Sequence, residues 1–435
     1  MDRIEVGIAG IVAVLVLLMM RMQVGVVLGI VSFIGISVIT STGAAWGILT
    51  AIPMNFVANW SLSAVPMFLL MGFIAAQAGL TNGLFSSAKI FIGRIPGGLA
   101  SATVLASALF ASSSGSSVAT AAAFSRIAVP EMLKANYKPS LATGSVAAAG
   151  TLGSMIPPSI LMILYGIFTN TSIGQLFVAG ILPGILSGLA FIVMITLRAM
   201  IDPSLAPAYK GVHTRQEIWG HLRDMWPLPI LIIGVLGGIF SGVITPTEAG
   251  AIGAFCAVLI ALARRSLSRR DFARAIIATA EGTCTVFIIA IGATMFSVFL
   301  GLTTLPMVFA DFLLGNVSST LAVIAAIAVL YIVLGMFVES LAIMLLTIPI
   351  IDPVLQGMGV NMVWFGIIVI KLLEIGLITP PVGLNLFVVK SALGAQVSLT
   401  EVIRGGAWFV ATDFITLLLI VLVPAISLFL PAMMG

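Results

Sequence analysis

The chain has 435 residues, of which 60% are hydrophobic and 8% charged, with a formal net charge of +4 and a mean hydropathy of +1.25. A soluble protein carries roughly a quarter charged residues, so this composition excludes a water-soluble fold and calls for hydrocarbon as solvent. The basic surplus sits in short loops between apolar runs, where it sets membrane topology, and a nucleic-acid partner is excluded with it.

Inside a bilayer every backbone N–H and C=O needs an internal partner, which leaves helices or a closed barrel. The apolar runs at 6–20, 181–194 and 417–430 are continuous rather than alternating, the helical pattern. The first segment lacks a basic leader and a cleavage site, so it reads as a retained helix at about 4–20. Spans follow at about 24–41 and, after a short amphipathic stretch, at 60–79. Next come an amphipathic arm at 82–93, a hairpin at 97–135, a Pro-broken span at 139–169 and a last span at 173–200. The hairpin turns on Ala111-Ser112-Ser113-Ser114-Gly115-Ser116-Ser117. One or two serines would suit a small-residue helix contact. A run this dense is too polar to face lipid and points to an ion or substrate site. In the broken span, Gly150-Thr151-Leu152-Gly153-Ser154-Met155-Ile156-Pro157-Pro158-Ser159, two prolines remove amide donors and free the carbonyls just upstream. Such carbonyls are hard ligands suited to Na⁺.

A polar linker at 202–226, with Lys210, His213, Arg215, Glu217, His221 and Arg223, separates units at 1–201 and 227–435. The second unit repeats the first: Pro157-Pro158 recurs as Pro380-Pro381, and at the same offset Gly153 falls on Gly376 and Pro130 on Pro353. Gly79-Leu80-Thr81 recurs as Gly301-Leu302-Thr303, one residue out of step. An internal duplication follows, with spans at about 227–241, 245–263 and 280–301, an arm at 304–315, a hairpin at 319–357, a broken span at 362–395 and a last span at 401–430. Gly242-Val243-Ile244-Thr245-Pro246-Thr247-Glu248 reads as a helix start. Cys256 and Cys284 lie inside helices without metal-like spacing and read as packing residues, so no transition-metal site is expected.

The second hairpin turns near Gly335-Met336-Phe337-Val338-Glu339-Ser340 and places a carboxylate inside an apolar segment. Cation ligation, proton coupling or a salt bridge to a neighbouring base would each account for it. Its partner is Glu374-Ile375-Gly376-Leu377-Ile378-Thr379-Pro380-Pro381-Val382-Gly383-Leu384-Asn385, where Thr379 and Asn385 add side-chain oxygens. Lys371 and Glu374, three apart on one helix, can neutralise each other; Asp413 has no partner near it in sequence.

If each hairpin enters and leaves on one side, each unit makes an odd number of crossings and the second copy is inverted. With both termini outside, Arg21, Lys89, Arg94, Lys134, Lys138, Arg198, Lys210, Arg215, Arg223, Arg264, Arg265, Arg269, Arg270, Arg274 and Arg404 fall on the cytoplasmic side. Arg126 and Lys390 lie nearer that side than the other, and only Arg3 and Lys371 are left for the outer half. The expected fold is an all-α polytopic membrane protein of two inverted-topology repeats, each with a re-entrant helical hairpin and a Pro-broken helix.

Six segments together carry a family resemblance: Gly93-Arg94-Ile95-Pro96-Gly97-Gly98-Leu99-Ala100, Ser114-Gly115-Ser116-Ser117-Val118-Ala119-Thr120, Leu141-Ala142-Thr143-Gly144-Ser145, Ile156-Pro157-Pro158-Ser159, Thr245-Pro246-Thr247-Glu248-Ala249 and Thr379-Pro380-Pro381-Val382-Gly383-Leu384-Asn385. Over almost its whole length the chain resembles the large membrane (M, DctM-like) subunit of tripartite ATP-independent periplasmic (TRAP) transporters. The resemblance implies an elevator-type, Na⁺-coupled importer of organic anions such as C4-dicarboxylates or sugar acids, in a bacterial inner membrane, and no enzyme. It further implies a periplasmic substrate-binding protein and a small four-helix membrane subunit as partners, and no cofactor other than Na⁺ as coupling ion. By this likeness one sodium site lies at Ser114, Gly115, Ser116, Gly153, Ile156 and Pro157, and the other at Val338, Glu339, Ser340, Thr379, Pro380 and Gly383. Substrate would sit between the tips at Ser116, Ser117, Thr120 and Asn385. Many relatives carry Asp at the position of Glu339, and some carry Asp at that of Thr120. A proton-coupled or exchange-type transporter without a binding protein is the alternative that Glu339 permits. An intramembrane enzyme lacks a catalytic constellation, since both histidines lie in the linker.

Overall fold

The computed structural model describes residues 2–20, 22–81, 83–207, 220, 225–316 and 319–434, without the side chains of 113, 114, 314 and 316. Arg21 and the linker residues Lys210, His213, Arg215, Glu217, His221 and Arg223 thus lie outside the described residues. Regular structure among the described residues is helical throughout.

The first unit contains α1 (Arg3–Met19), α2 (Val24–Ile39), α3 (Thr42–Val57), α4 (Ala64–Gln77), α5 (Leu84–Ile92), α6 (Gly98–Ser114), α7 (Ser117–Lys134), α8 (Pro139–Met155), α9 (Ile160–Phe168) and α10 (Ile173–Ile201). The second contains α11 (Pro227–Phe240), α12 (Pro246–Ala263), α13 (Arg269–Thr303), α14 (Leu305–Asn316), α15 (Thr320–Gly335), α16 (Ser340–Gly357), α17 (Met362–Ile378), α18 (Leu384–Leu393), α19 (Leu399–Leu422) and the short α20 (Ala425–Leu428). Among the described residues six stretches are long and apolar enough to cross a membrane, a 3-10 turn with α4, then α10, α12, α13, α16 and α19. The pair α8 and α9, bent by 41°, makes a seventh if it is one span.

Local chemistry explains most boundaries. Thr245 and Glu248 form a capping box at the start of α12, with Pro246 in its first turn, as the sequence indicates. Asn361 caps α17 by accepting from the backbone N–H groups of Val363 and Trp364, and Ser116 caps α7 by accepting from Ala119. Two segments depart from the expected layout. The stretch after α2 is a helix of its own, α3, whose Trp46, Met54 and Val57 are exposed while Ala45 and Phe56 are buried. Its counterpart in the second unit is fused: α13 runs unbroken for 35 residues. The final span is also shorter than expected, since Pro424 withholds an amide and α19 stops at Leu422.

Packing divides the helices into two groups. One is a frame in which α13 lies along α2 and α4, with α12 on α4 and α11 on α12. The other is a core in which α8 is surrounded by α6, α7, α17, α18 and α19. All side chains from Leu141 to Met155 and from Val363 to Ile378 are buried, so α8 and α17 are its centre. Frame helices instead expose apolar stripes such as Ile8, Val12 and Val16, four residues apart on one face, which hydrocarbon accommodates. Glycines permit the closest crossings: a Cβ on Gly144 would come within 2.5 Å of the Gly405 backbone, and one on Gly376 within 2.7 Å of Gly335 Cα.

Candidate functional site

Each broken helix meets a hairpin at its interruption. In the first unit α8 ends at Met155, the chain passes through Ile156 to Ser159, and α9 begins at Ile160. In the second, Thr379 to Gly383 separate α17 from α18. The Pro157–Pro158 and Pro380–Pro381 bonds are both cis. The matched positions make matched contacts. A Cβ on Gly153 would stand 2.8 Å from that of Ala111 at the end of α6, as Gly376 stands against Gly335 at the end of α15. At the first tip Gly115 has φ +61°, the left-handed conformation that glycine adopts without a Cβ clash, and this lets α7 start at once. Gly383, at φ +55°, begins α18 in the same way, and its N–H donates to Met336 O at 3.4 Å, tying the second break to the second tip.

A cavity of about 310 Å³ opens between the two tips. Gly115, Ser116, Ser117, Val118 and Ala119 line it from the first hairpin, and Glu339, Ser340 and Leu341 from the second. Ser154 and Leu377 come from the two broken helices, while Phe73 of α4 and Thr285 of α13 close it from the frame. Ser117 and Ser154 hydroxyls are 2.8 Å apart and tie the first tip to the first break. Glu339, the N-cap residue of α16, is exposed, and among the described residues its carboxylate has no hydrogen-bond or ion-pair partner. The neighbouring base that a salt bridge would need is therefore not on hand.

Two helix N-termini thus converge on the cavity. Their unpaired amides and aligned dipoles favour a negative group there. Glu339 supplies a negative charge of its own at one of them, so a cation is favoured beside it and an anion beside the other.

Of the residues marked out in the sequence, Gly115, Ser116, Ser117, Glu339 and Ser340 share this cavity. Ser114 ends α6, and its side chain lies outside the described residues. Ile156 and Pro157 line a different, apolar cavity against α10. Thr120 is buried, with its hydroxyl donating to Ser116 O at 2.9 Å. Thr379 is buried and donates to Ile375 O, and Val338 and Pro380 are half-buried at the second tip and break. Asn385 lies wholly inside the core, donating to Ala147 O of α8 at 3.2 Å, with Oδ1 unpartnered. Asn385 thus bridges the two units rather than facing the cavity between the tips.

One cluster is only half legible in the sequence, which pairs Lys371 with Glu374 but leaves Asp413 alone. Lys371 and Glu374 do meet, at 3.4 Å, but Asp413 from α19 comes closer to Lys371, at 2.6 Å, and Ser187 of α10 completes the group. Only the folded chain brings positions 371 and 413 together; the sole signal in the sequence was that all three are charged residues in apolar spans.

Comparison with known proteins agrees with this architecture. The family model for the tripartite ATP-independent periplasmic transporter, DctM component, matches residues 11–426. The C4-dicarboxylate TRAP transporter large permease protein DctM of Pseudomonas aeruginosa is 36% identical, over 87% of this chain and 87% of its own length. The sialic acid TRAP transporter large permease protein SiaM of Vibrio cholerae is 33% identical, over 86% of each. Among solved structures, the YdaH transporter of Alcanivorax borkumensis superposes with a TM-score of 0.59 over 88% of each chain at 15% identity, a likeness of fold alone.

Proposed function

We propose, from the premise that this chain belongs to the family of the DctM component of tripartite ATP-independent periplasmic transporters, that it is the transport subunit of a Na⁺-coupled importer of organic anions. The chain is a multi-pass transporter permease and not an enzyme. The cargo class we infer is a carboxylate, in line with relatives named for C4-dicarboxylates and sialic acid. A tripartite system supplies two further components, here a periplasmic substrate-binding protein and a small membrane subunit.

The observation that carries the reading is the cavity on which both hairpin tips converge. The start of α7, with Ser116 and Ser117, receives the substrate carboxylate; Thr120 and Asn385 hold the surrounding backbone. One sodium site is formed at Ser114, Gly115, Ser116, Gly153, Ile156 and Pro157, and the other at Val338, Glu339, Ser340, Thr379, Pro380 and Gly383. An unpartnered Glu339 carboxylate repels an anion across the same cavity, so the empty site rejects substrate until a cation sits on Glu339. That order couples the two fluxes. The two units form inverted repeats at 1–201 and 227–435 joined by the linker at 202–226, with both termini periplasmic in a bacterial inner membrane, and the core carries the site past the frame as an elevator.

Proteoliposomes holding this chain with its small subunit, and supplied with the loaded binding protein, test the reading. Substrate uptake is expected with an inward Na⁺ gradient and is expected to vanish when choline replaces Na⁺. Uptake that persists on a proton gradient alone would sink the sodium assignment and favour the proton-coupled alternative.

A further inference from the structure

The core holds three ionisable side chains that the transport site does not use. Lys371 and Glu374 on α17 and Asp413 on α19 have no solvent exposure. Lys371 Nζ donates to Asp413 Oδ1 at 2.6 Å, to Ser187 Oγ at 2.9 Å and to Glu374 Oε2 at 3.4 Å. Those three bonds use up an ammonium's donors. Glu374 Oε1 and Asp413 Oδ2 remain buried without a hydrogen-bond partner. The ring of Phe191 lies 5.8 Å from Lys371 Nζ and packs edge-on against Phe409, which shuts the cluster off.

Lys371 and Asp413 are the ionisable side chains that act on Glu374. The others on the surrounding helices are engaged elsewhere: Tyr165 donates to Met362 O, Tyr331 pairs with Thr347, Arg198 lies over Trp408, and Asp352 accepts from Gln356. Lys390 bonds to Gly394 O and the Glu401 carboxylate accepts from the N–H and hydroxyl of Ser398, the N-cap of α19, while Arg404 faces outward. Among the described residues no further charged side chain offsets a second carboxylate; besides Lys371, only the Met155 backbone amide favours the ionised form of Glu374.

Fully ionised, the cluster would carry one surplus negative charge in a dry interior, which strongly disfavours that state; a buried group in this position takes up a proton instead. A metal cation is the poorer remedy, because hard cations demand several oxygens and the Lys371 ammonium already stands between the two carboxylates. We propose that Lys371, Glu374 and Asp413 form a one-proton binding site, with the proton on Glu374. Asp413, at 2.6 Å, is the counter-ion of Lys371; Glu374, the more distant, is the acid. Binding the proton converts the Glu374 carboxylate to a neutral carboxyl group and leaves the cluster without net charge. The repeat-related positions, Thr151 for Glu374 and Ala148 for Lys371, carry no charge, so the site belongs to one unit only. It does not depend on the sodium or substrate assignments.

Infrared spectra of the purified protein in nanodiscs, in H₂O and in D₂O at neutral pH, read the C=O stretch of a buried protonated carboxyl. Wild type minus Glu374→Gln is expected to show that band, with slow deuterium exchange. Asp413→Asn is expected to lose the same band, because Glu374 then becomes the counter-ion of Lys371 and ionises. Glu374→Gln should melt as wild type does, whereas the double variant Glu374→Gln/Asp413→Asn should melt lower, its ammonium having lost both carboxylates. A missing difference band, or a band that survives Asp413→Asn, overturns the proposal. So does Na⁺-dependent melting of wild type that Glu374→Gln abolishes, which would make the cluster a metal-cation site. Should Glu374→Gln fail to fold, wild type against Asp413→Asn decides alone.

Discussion

Ser116 and Glu339 face one cavity from opposite tips, and each asks something different of an occupant. Ser116 caps α7 and borders the space where a carboxylate would lie. Its replacement by alanine removes a cap worth about 1 kcal/mol and leaves the α7 amides less well presented. Ser116→Ala should therefore lower uptake about fivefold, the factor that roughly 1 kcal/mol represents, when initial rates are normalised to folded protein. Glu339 contributes a full charge. In Glu339→Gln the anion is no longer repelled from the empty site and the cation is no longer attracted, so uptake should lose its steep dependence on Na⁺. Half-saturation is expected to move to at least about tenfold higher Na⁺, a change of ~1.4 kcal/mol. An unchanged Na⁺ titration would place the cation elsewhere. Asn385→Ala tests a different link, since its amide spans from α18 to α8 across the two units. Uptake should fall while folded yield holds, because the hydrogen bond lost is worth about 1 kcal/mol but sets where the second break lies against the first.

At the scale of elements, the proposed function depends on the helix breaks at 156–159 and 379–383, and those stops were the most readable part of the sequence. Gly115, Pro157-Pro158, Pro380-Pro381 and Gly383 each remove a donor or relax a backbone constraint, so chemistry local to a few residues marks the place. The pairing of each break with its own hairpin tip was readable too, because the repeat aligns Gly153 with Gly376. Where the sequence fell short, the deciding interactions lie between distant segments. Nothing near residues 371 to 374 announces Asp413, and the stretch at 42–57, read as a short amphipathic connection, forms a 16-residue helix of its own. Asn385 reads in the sequence as a substrate contact between the tips, whereas its orientation toward Ala147 depends on how α18 crosses α8. Glycine contacts offer a direct test at this scale. A Cβ at Gly376 would stand 2.7 Å from Gly335 Cα, whereas at Gly234 it would meet nothing within 4 Å. Gly376→Val should overpack the crossing of α15 and α17 at a cost of about 1–3 kcal/mol and lower the melting temperature. Gly234→Ala, in the exposed face of α11, should be neutral or stabilising by up to about 1 kcal/mol. Equal melting of both variants would show that the tight crossing does not hold the second hairpin in place.

For the whole molecule, the division into frame and core sets the possible motion. The frame, built on α2, α4, α12 and α13, exposes apolar stripes to lipid, while the core packs around α8 and α17, buried from Leu141 to Met155 and from Val363 to Ile378. A rigid core that carries the cavity against α4 and α13 would expose the site alternately to the two sides, and the walls from Phe73 and Thr285 would slide past the tips. One contact across the division is close enough to lock: a Cβ on Gly174, at the start of α10, which packs on α6, α8, α17 and α19 of the core, would lie 3.4 Å from Ile239 Cγ2 on α11 of the frame. In a background where Cys256 and Cys284 are alanine, the pair Gly174→Cys and Ile239→Cys should form a disulfide under mild oxidant, since Ile239 Cγ2 is one bond from its Cβ and the two Cβ atoms are therefore at most one C–C bond farther apart than that contact. If the core moves past the frame during transport, the oxidised protein should lose at least about nine-tenths of its uptake, an estimate that follows from blocking an obligatory step, and reductant should restore it. Each single-cysteine variant should keep its rate through the same cycle. Full uptake by the cross-linked protein, with the disulfide confirmed by mobility on a gel, would mean that α10 and α11 travel together, and the moving boundary would then have to fall between α11 and α12 instead.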